Sequence, residues 1–346
     1  MEVNGMQRWL MYSNDVEVAA FEVQNSVIVG FLPSKPKLLP MQLRCASADG
    51  FTAWLRERAI DLNNLQHREL MKQLLGSRDR TTLALRTHMF SVSDTFTCFQ
   101  EGEFIPRRKL CDPEEQNAAS DFILLSSDTS LRRLSGATPN ASTDGSFTKT
   151  WRFEGGAWWL YKLQSAAATR AEVAISQTLR ACGWDAAEYA YAGRFRKRVR
   201  SKSFLQPGEF FEPYDSFRFF FDNPSDDDGV ISNNLASLGP AFERDWRRIL
   251  LADALFFNTD RHMRNFGVIR DAHTGTVLRL TPNFDNNRAY DANPGGYSAN
   301  MLRAFMAEAR LEDIENLKDL CASLESNGHL EKALEAGKAA LKRARL

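Results

Sequence analysis

Asn258-Thr259-Asp260-Arg261-His262-Met263-Arg264-Asn265-Phe266-Gly267 is the stretch on which the fold of this chain turns. It follows a run over about 240–257 whose Trp246, Ile249 and Leu250, with the apolar residues after them, predict a deeply buried helix. It leads into a short strand, a turn at Thr274-Gly275 and a second strand that ends at Phe284-Asp285-Asn286-Asn287. A carboxylate, Asp260, and a carboxamide five positions on, Asn265, thus stand in a polar loop between a buried helix and a hairpin that delivers a second carboxylate, Asp285.

Phosphoryl transfer asks little covalent chemistry of a protein. It needs a carboxylate near the attacking hydroxyl and oxygen ligands for magnesium. Catalytic loops of kinases place an Asp base and a metal-binding Asn at this same interval, and a second carboxylate after a hairpin would close over the same metal. The upstream half supplies other parts. Lys162 ends a strand reading Trp158-Trp159-Leu160-Tyr161-Lys162, from which it can reach nucleotide phosphates. Glu172, ten residues on and near a helix start, can hold that lysine as an ion pair. The loop Asp144-Gly145-Ser146-Phe147-Thr148-Lys149 lies just before a hairpin turning at Glu154-Gly155-Gly156, where a phosphate-covering loop belongs. Singly, each part has a plain structural explanation: most lysines are surface solubilisers, and DxHxxN spacing also suits a loop turn or a metal-type triad. The specific signal is their order, loop, Lys, Glu, DxHxxN, Asp, on the right kinds of element.

With 346 residues the chain is too long for one small core, and roughly two packed units are expected. Hydrophobic residues are 43%, enough to bury a sizeable interior. Lys plus Arg equals Asp plus Glu, 44 each, so net charge favours neither a nucleic-acid nor a membrane partner. Cys45, Cys98, Cys111, Cys182 and Cys321 are odd in number and widely spaced, which argues against a zinc site or a disulfide framework and for a reducing cytoplasm. The N-terminus carries charges and lacks the apolar core of a signal peptide. No run of about 18 apolar residues predicts a membrane span.

Val16, Val18, Phe21 and Val23 alternate in strand fashion and lead to Val27-Ile28-Val29, with Gln24-Asn25 as the turn. Residues 50–75 read as helical; Ser91 to Asp94 and the stretches around Pro106 and Pro113 read as loops. A soft boundary falls near 120–128. Beyond it come the hairpin, a helix over 168–182 with Ala171, Ile175, Thr178 and Leu179 near one face, and a strand region at 188–205. Residues 222–229, DNPSDDDG, read as a solvated loop, and 298–346 as helical; no internal repeat is visible.

LLADALFFNTDRHMRNFGVI (250–269) resembles the catalytic segment of the HipA-like serine/threonine kinases, where a helix ends in NxDRHxxNxG. TPNASTDGSFTKTW (138–151) is similar to their phosphate-loop region, with Ser142, Gly145 and Lys149 at matching intervals. WWLYK (158–162) resembles the strand with the ATP lysine, and VRSKSFLQPGEFFEP (199–213) the hinge strand. The resemblance covers roughly residues 120–310; WLRERAI (54–60) and SVSDTF (91–96) less specifically resemble the extra region of a phage- and bacterium-associated branch. It implies an α+β, protein-kinase-like two-lobed fold: an accessory N-terminal region over 1–122, an N-lobe with the phosphate loop over 123–208 and a helical C-lobe over 209–346. It further implies ATP and Mg2+ as cofactors, a protein hydroxyl as acceptor, and a small DNA-binding antitoxin as a partner. Asp260 would be the catalytic base and His262 would position its loop. Asn265 and Asp285 would be the magnesium ligands. Lys162 would bind the nucleotide phosphates, with Gly145, Ser146 and Lys149 in the phosphate loop, and Ser142 would be an autophosphorylation site. Two departures matter. Asp285 is followed by Asn-Asn rather than Phe-Gly, so activation-loop regulation of the eukaryotic kind is not implied, and the phosphate loop has a single glycine.

Three rivals stand beside a protein kinase: a small-molecule phosphotransferase with the same spacing, a nucleotide-binding pseudokinase and a DNA-binding repressor subunit. Intact Lys162, Asp260, Asn265 and Asp285 argue against the second, and neutral composition against the third. Arg194, Arg196, Arg198 and Arg200 would share one strand face, suited to an acidic partner or simply to solvent. Asp226-Asp227-Asp228 reads as flexible loop rather than metal site, and Phe217, Phe219, Phe220 and Phe221 as core rather than a stacking platform. Cys182 reads as a small core residue; His67, His88 and His273 have no partners at metal spacing.

Overall fold

The structure, a computed structural model, describes residues 5–58, 79–110, 112–125, 138–142, 148–193, 198–289, 300–327 and 330–344. Its strands are β1 (Gln7–Ser13), β2 (Val16–Gln24), β3 (Val27–Pro33), β4 (Phe96–Gln100), β5 (Thr148–Glu154), β6 (Ala157–Leu163), β7 (Tyr189–Tyr191), β8 (Arg198–Lys202), β9 (Glu209–Pro213), β10 (Gly267–Asp271) and β11 (Val277–Leu280). Its helices are α1 (Ala48–Arg58), α2 (Arg80–Arg86), α3 (Arg107–Leu110), α4 (Pro113–Leu125), α5 (Ala166–Ala181), α6 (Tyr214–Phe217), α7 (Asp228–Leu238), α8 (Pro240–Phe256), α9 (Asn300–Ala307), α10 (Leu311–Asn327) and α11 (Glu331–Arg343). The expected α+β class is what the chain adopts. Two compact units form, one from 1–163, 205–212 and 269–278, the other from 164–204, 213–268 and 279–346. No helix among the described residues is long and apolar enough to cross a membrane.

In the first unit a sheet runs β3-β2-β1-β4. Its tight turns sit at Asn14-Asp15 and Asn25-Ser26, all four residues at positive φ, the conformation two-residue hairpins require. α1 lays Phe51, Trp54 and Leu55, spaced i, i+3, i+4, on the buried side of this sheet. The Phe51 ring lies 4.9 Å from Phe21 and 4.3 Å from Phe31. Burying each such side chain stabilises by about 1.5–3 kcal/mol. The remainder of the stretch expected as helical over 50–75 lies among residues 59–78, outside the described ones. Arg58, at the end of α1, stacks on Trp54 at 4.4 Å and forks onto Asp94. Asp94 in turn accepts the Phe96 N–H at 2.9 Å. The WLRERAI and SVSDTF segments therefore meet.

The Pro113 region is a helix rather than the loop expected from sequence. Proline at a first helical position gives up an N–H that has no partner there anyway. α4 flanks β5: the Asn117 carboxamide bonds both the N–H (2.9 Å) and the carbonyl (3.0 Å) of Phe153, as a neighbouring strand would. β5 and β6 form the expected hairpin, with Gly155 and Gly156 at φ 58° and 77°. The first-unit parts of β9, β10 and β11 form a sheet in the order β11-β10-β9.

In the second unit, Ser165 caps α5 by accepting the Ala168 N–H at 3.0 Å. Ala171, Ile175 and Leu179 of α5 pack with Leu251 and Leu255 of α8 and Leu317 and Leu320 of α10. Two expectations are corrected. The acidic run is not wholly loop, because Asp227 caps α7, its carboxylate accepting the Gly229 and Val230 N–H groups. The aromatic run is not wholly core: Phe217 is buried, but Phe219 and Phe220 are 55% and 47% exposed, since a tight helical turn cannot point consecutive rings inward. Cys182 is half-buried beside that core. Of the arginine series, Arg194 and Arg196 lie outside the described residues, while Arg198 and Arg200 sit half-buried on β8. His67 is also outside them. His88 shares a hydrogen bond with the Cys98 carbonyl and His273 one with the Asn14 amide.

Candidate active site

The loop 258–266 is seated by packing on both sides. Phe257, at φ 49°, ends α8. The Phe266 ring stacks on Trp246 of α8 at 4.3 Å and on Tyr214 of α6 at 5.0 Å. Two backbone bonds of 3.0 Å, Tyr214 N–H to Phe266 carbonyl and Asp215 N–H to Met263 carbonyl, hold the loop to α6.

Inside the loop the polar groups are ordered by one another. The His262 N–H donates to the Asp260 carbonyl at 3.0 Å, and the Asn265 N–H to the His262 carbonyl at 2.8 Å. The Asn265 Nδ2 donates to the Asp260 carbonyl at 2.9 Å, which leaves its Oδ1 as the atom suited to a cation. His262 is exposed, and its Nδ1 accepts the Arg264 N–H at 3.2 Å, so its ring braces the turn. Asp285 adopts φ 60°, a strained conformation for a non-glycine residue, and its N–H donates to the Tyr189 hydroxyl at 3.1 Å.

One side chain joins these parts. The Arg261 side chain is only 7% exposed and donates to Asp253 from Nε (2.8 Å) and Nη2 (2.9 Å). Its Nη1 donates to the Asn265 and Phe284 carbonyls, both at 2.7 Å, and Nη2 also reaches Asn286 Oδ1 at 3.1 Å. Burial opposes the guanidinium charge, yet Asp253 above all, with Asp285 adding, holds Arg261 above its ordinary value. Asn258 donates to Asp253 at 3.0 Å and to Asn286 at 3.3 Å, and Asn286 donates to Asn283 at 2.7 Å. Sequence reasoning missed Asp253, Arg261 and the asparagines. The signal was present: a lone carboxylate inside the apolar run LLADALFF needs a buried partner, and Arg261 is the cation eight residues on.

Among the described residues no group of three or more His, Cys, Asp or Glu could hold a metal ion. A cation bound at this loop would draw on the Asn265 amide oxygen, the Asp285 carboxylate and water. That sparse, hard-oxygen set fits magnesium, which keeps several waters. The buried Oδ1 atoms of Asn258 and Asn287 also lack hydrogen-bond partners.

In the first unit, Lys149 and Lys162 stand directly opposite each other across β5 and β6, on one face of the hairpin. Lys162 is only 5% exposed. Ser142 ends a short turn, Pro139–Ser142, anchored by Asn140, whose Oδ1 accepts from Thr150 Oγ1 (2.8 Å) and the Trp151 N–H (2.7 Å). Gly145 and Ser146 lie outside the described residues. In the second unit Glu172 is fully buried on α5 and accepts from Gln164 Nε2 at 2.6 Å.

No known family's sequence profile matches the chain, and no curated protein does. Solved structures are similar to it. The Helicobacter pylori proinflammatory kinase CtkA aligns at TM-score 0.41 and 14% identity over 56% of this chain and 88% of its own. HipA of Shewanella oneidensis MR-1, in a toxin–antitoxin complex with HipB and operator DNA, aligns at TM-score 0.62 and 14% identity over 97% of this chain and 96% of its own. Over nearly the whole of both chains, this protein has the fold of HipA.

Proposed function

We propose that the chain is an ATP-dependent serine/threonine protein kinase of HipA-like type. The observation that carries this reading is the hydrogen-bonded union, through Arg261, of the Asp260–Asn265 loop with the segment bearing Asp285. Asp260 takes the proton of a protein hydroxyl as its oxygen attacks the γ-phosphorus. The new P–O bond forms while the bond to the β-phosphate oxygen breaks, and ADP leaves. Asn265 and Asp285 would hold magnesium, which when bound would neutralise charge developing on the phosphates. Lys162 and Lys149 bind the phosphates, with Gly145 and Ser146 in the covering loop. Glu172, which accepts from Gln164, is assigned to the nucleotide-binding set, and His262 braces the loop.

Asp260→Asn is expected to cut phosphoryl transfer by roughly 10²–10⁴-fold while leaving nucleotide binding largely intact. Incubation with labelled ATP and magnesium, followed by mass spectrometry, reads both; near-wild-type turnover would reject the role. We also assign autophosphorylation to Ser142, in a stretch rich in Ser, Thr, Asn and Gly. A phosphate there adds roughly −1.5 to −2 charges at pH 7 and should lower activity by repelling ATP. Phosphopeptide mapping that finds an active enzyme with no phosphate in 138–150 would sink that assignment. A small DNA-binding antitoxin as partner is supported by the HipA complex with HipB and DNA. A reducing cytoplasm suits the free Cys45, Cys98, Cys182 and Cys321.

A further inference from the structure

We infer that Arg261 is a positioning residue that sets the spacing of the two magnesium ligands, Asn265 and Asp285; this deepens the proposed kinase function and rests on it. The guanidinium is a rigid planar fork. Its Nε–Nη2 edge is locked on the buried Asp253 carboxylate at 2.8 and 2.9 Å, so the plane has no freedom to turn. The remaining nitrogen, Nη1, then contacts two backbone carbonyls at 2.7 Å each. One belongs to Asn265 itself, the other to Phe284, the residue before Asp285. A single nitrogen atom thus gauges the distance between the backbones that carry both ligands.

The ligands have little other freedom. Asn265 is buried, with its N–H and its Nδ2 both bonded inside the loop. Asp285 is held at φ 60° with its N–H on Tyr189. Asn286, on its other side, is tied to Arg261 and Asn258. Lysine at 261 would keep the positive charge beside Asp253 but has no fork, so it cannot hold Asp253 and both carbonyls at once. Magnesium demands near-octahedral geometry at short distances, whereas calcium accepts longer and more variable ones. Loosening the gauge should therefore penalise magnesium more than calcium. A residue that merely supported the fold would weaken binding of both ions, and of the bare nucleotide, alike.

The test is calorimetric titration of ATP into the full chain in EDTA, in Mg2+ and in Ca2+. Arg261→Lys is expected to bind ATP like wild type in EDTA, to lose about tenfold or more in Mg2+, and to lose clearly less in Ca2+. Unchanged binding in all three conditions, or an equal loss in all three, overturns the inference. Should Arg261→Lys not fold, Asp253→Asn unlocks the same fork with little change of shape; the same loss in Mg2+ over Ca2+ supports the inference, and equal behaviour in the three conditions overturns it. Wild-type chain that binds ATP in none of them overturns the kinase function and this inference together. Metal-dependent wild type with indifferent variants overturns this inference alone.

Discussion

Of the two proposed magnesium ligands, Asp285 and Asn265, only Asp285 brings a formal charge. Removing it should cost more. Asp285→Ala is expected to abolish most of the gain in ATP affinity that magnesium confers, and Asn265→Ala to reduce it less. Titration of ATP with and without magnesium measures this; equal magnesium dependence in wild type and Asp285→Ala would reject the role. The strained backbone at Asp285 adds a second consequence. Glycine accepts positive φ without the steric cost borne by Asp, so Asp285→Gly should be more stable than Asp285→Ala while equally poor in magnesium-dependent binding. Thermal melts of the two variants side by side check it.

At the scale of elements, the connection from β10 to β11 depends on Asp271. Its Oδ1 accepts the His273 N–H (2.9 Å), the Thr274 N–H (2.7 Å) and the Thr274 hydroxyl (2.9 Å). The bonds from Thr274, foremost, hold its carboxyl below the usual range. A depressed folded-state pKa means stability present above the unfolded value of about 3.9 and lost as pH falls through the folded one. Asp271→Ala should therefore lower Tm at pH 7, and the gap to wild type should narrow as pH drops below about 4. A gap independent of pH between 7 and 3 would show that the charge is not what matters. Gly275, at φ 73° in the same turn, cannot carry a side chain, since a Cβ would collide with the Lys37 carbonyl.

At the scale of the whole molecule, distant stretches of chain are knitted by buried charge. Arg270 and Glu212 are 0% and 1% exposed and bond at 2.5 Å. Arg270 also donates to the carbonyls of Lys37 (2.7 Å), Leu39 (3.0 Å) and Gly275, while Glu212 accepts the Met41 N–H at 2.5 Å. This pair anchors residues 37–41 to β9 and β10 inside the first unit. Glu212→Leu leaves a buried cation unpaired and should cost about 3–5 kcal/mol in urea denaturation. Arg8→Ala, which breaks the exposed pair with Glu101, should cost no more than about 1 kcal/mol. Similar losses for the two would contradict the buried-charge account.

Local chemistry made much of this protein legible from sequence. The Glu154-Gly155-Gly156 turn, the turn after β2 (one residue later than expected, at Asn25-Ser26), the α5 and α8 helices and the interval from Asp260 to Asn265 depend on neighbours along the chain, where periodicity, turn residues and spacing speak directly. The helix at Pro113 and the Asp227 cap were legible in principle, since both follow from known terminal preferences. What only the tertiary structure decided are the partners of buried charges. Arg261 finds Asp253 and the Phe284 carbonyl, and Arg270 finds Glu212 and the Lys37 carbonyl, across separations that no period encodes. The assignment of 205–212 and 269–278 to a unit otherwise built from 1–163 is likewise invisible to composition or pattern. The physical reason is common to both. A charge taken out of water is tolerated only where opposite charge or aligned backbone dipoles meet it, and which groups meet is settled by the packing of the folded chain.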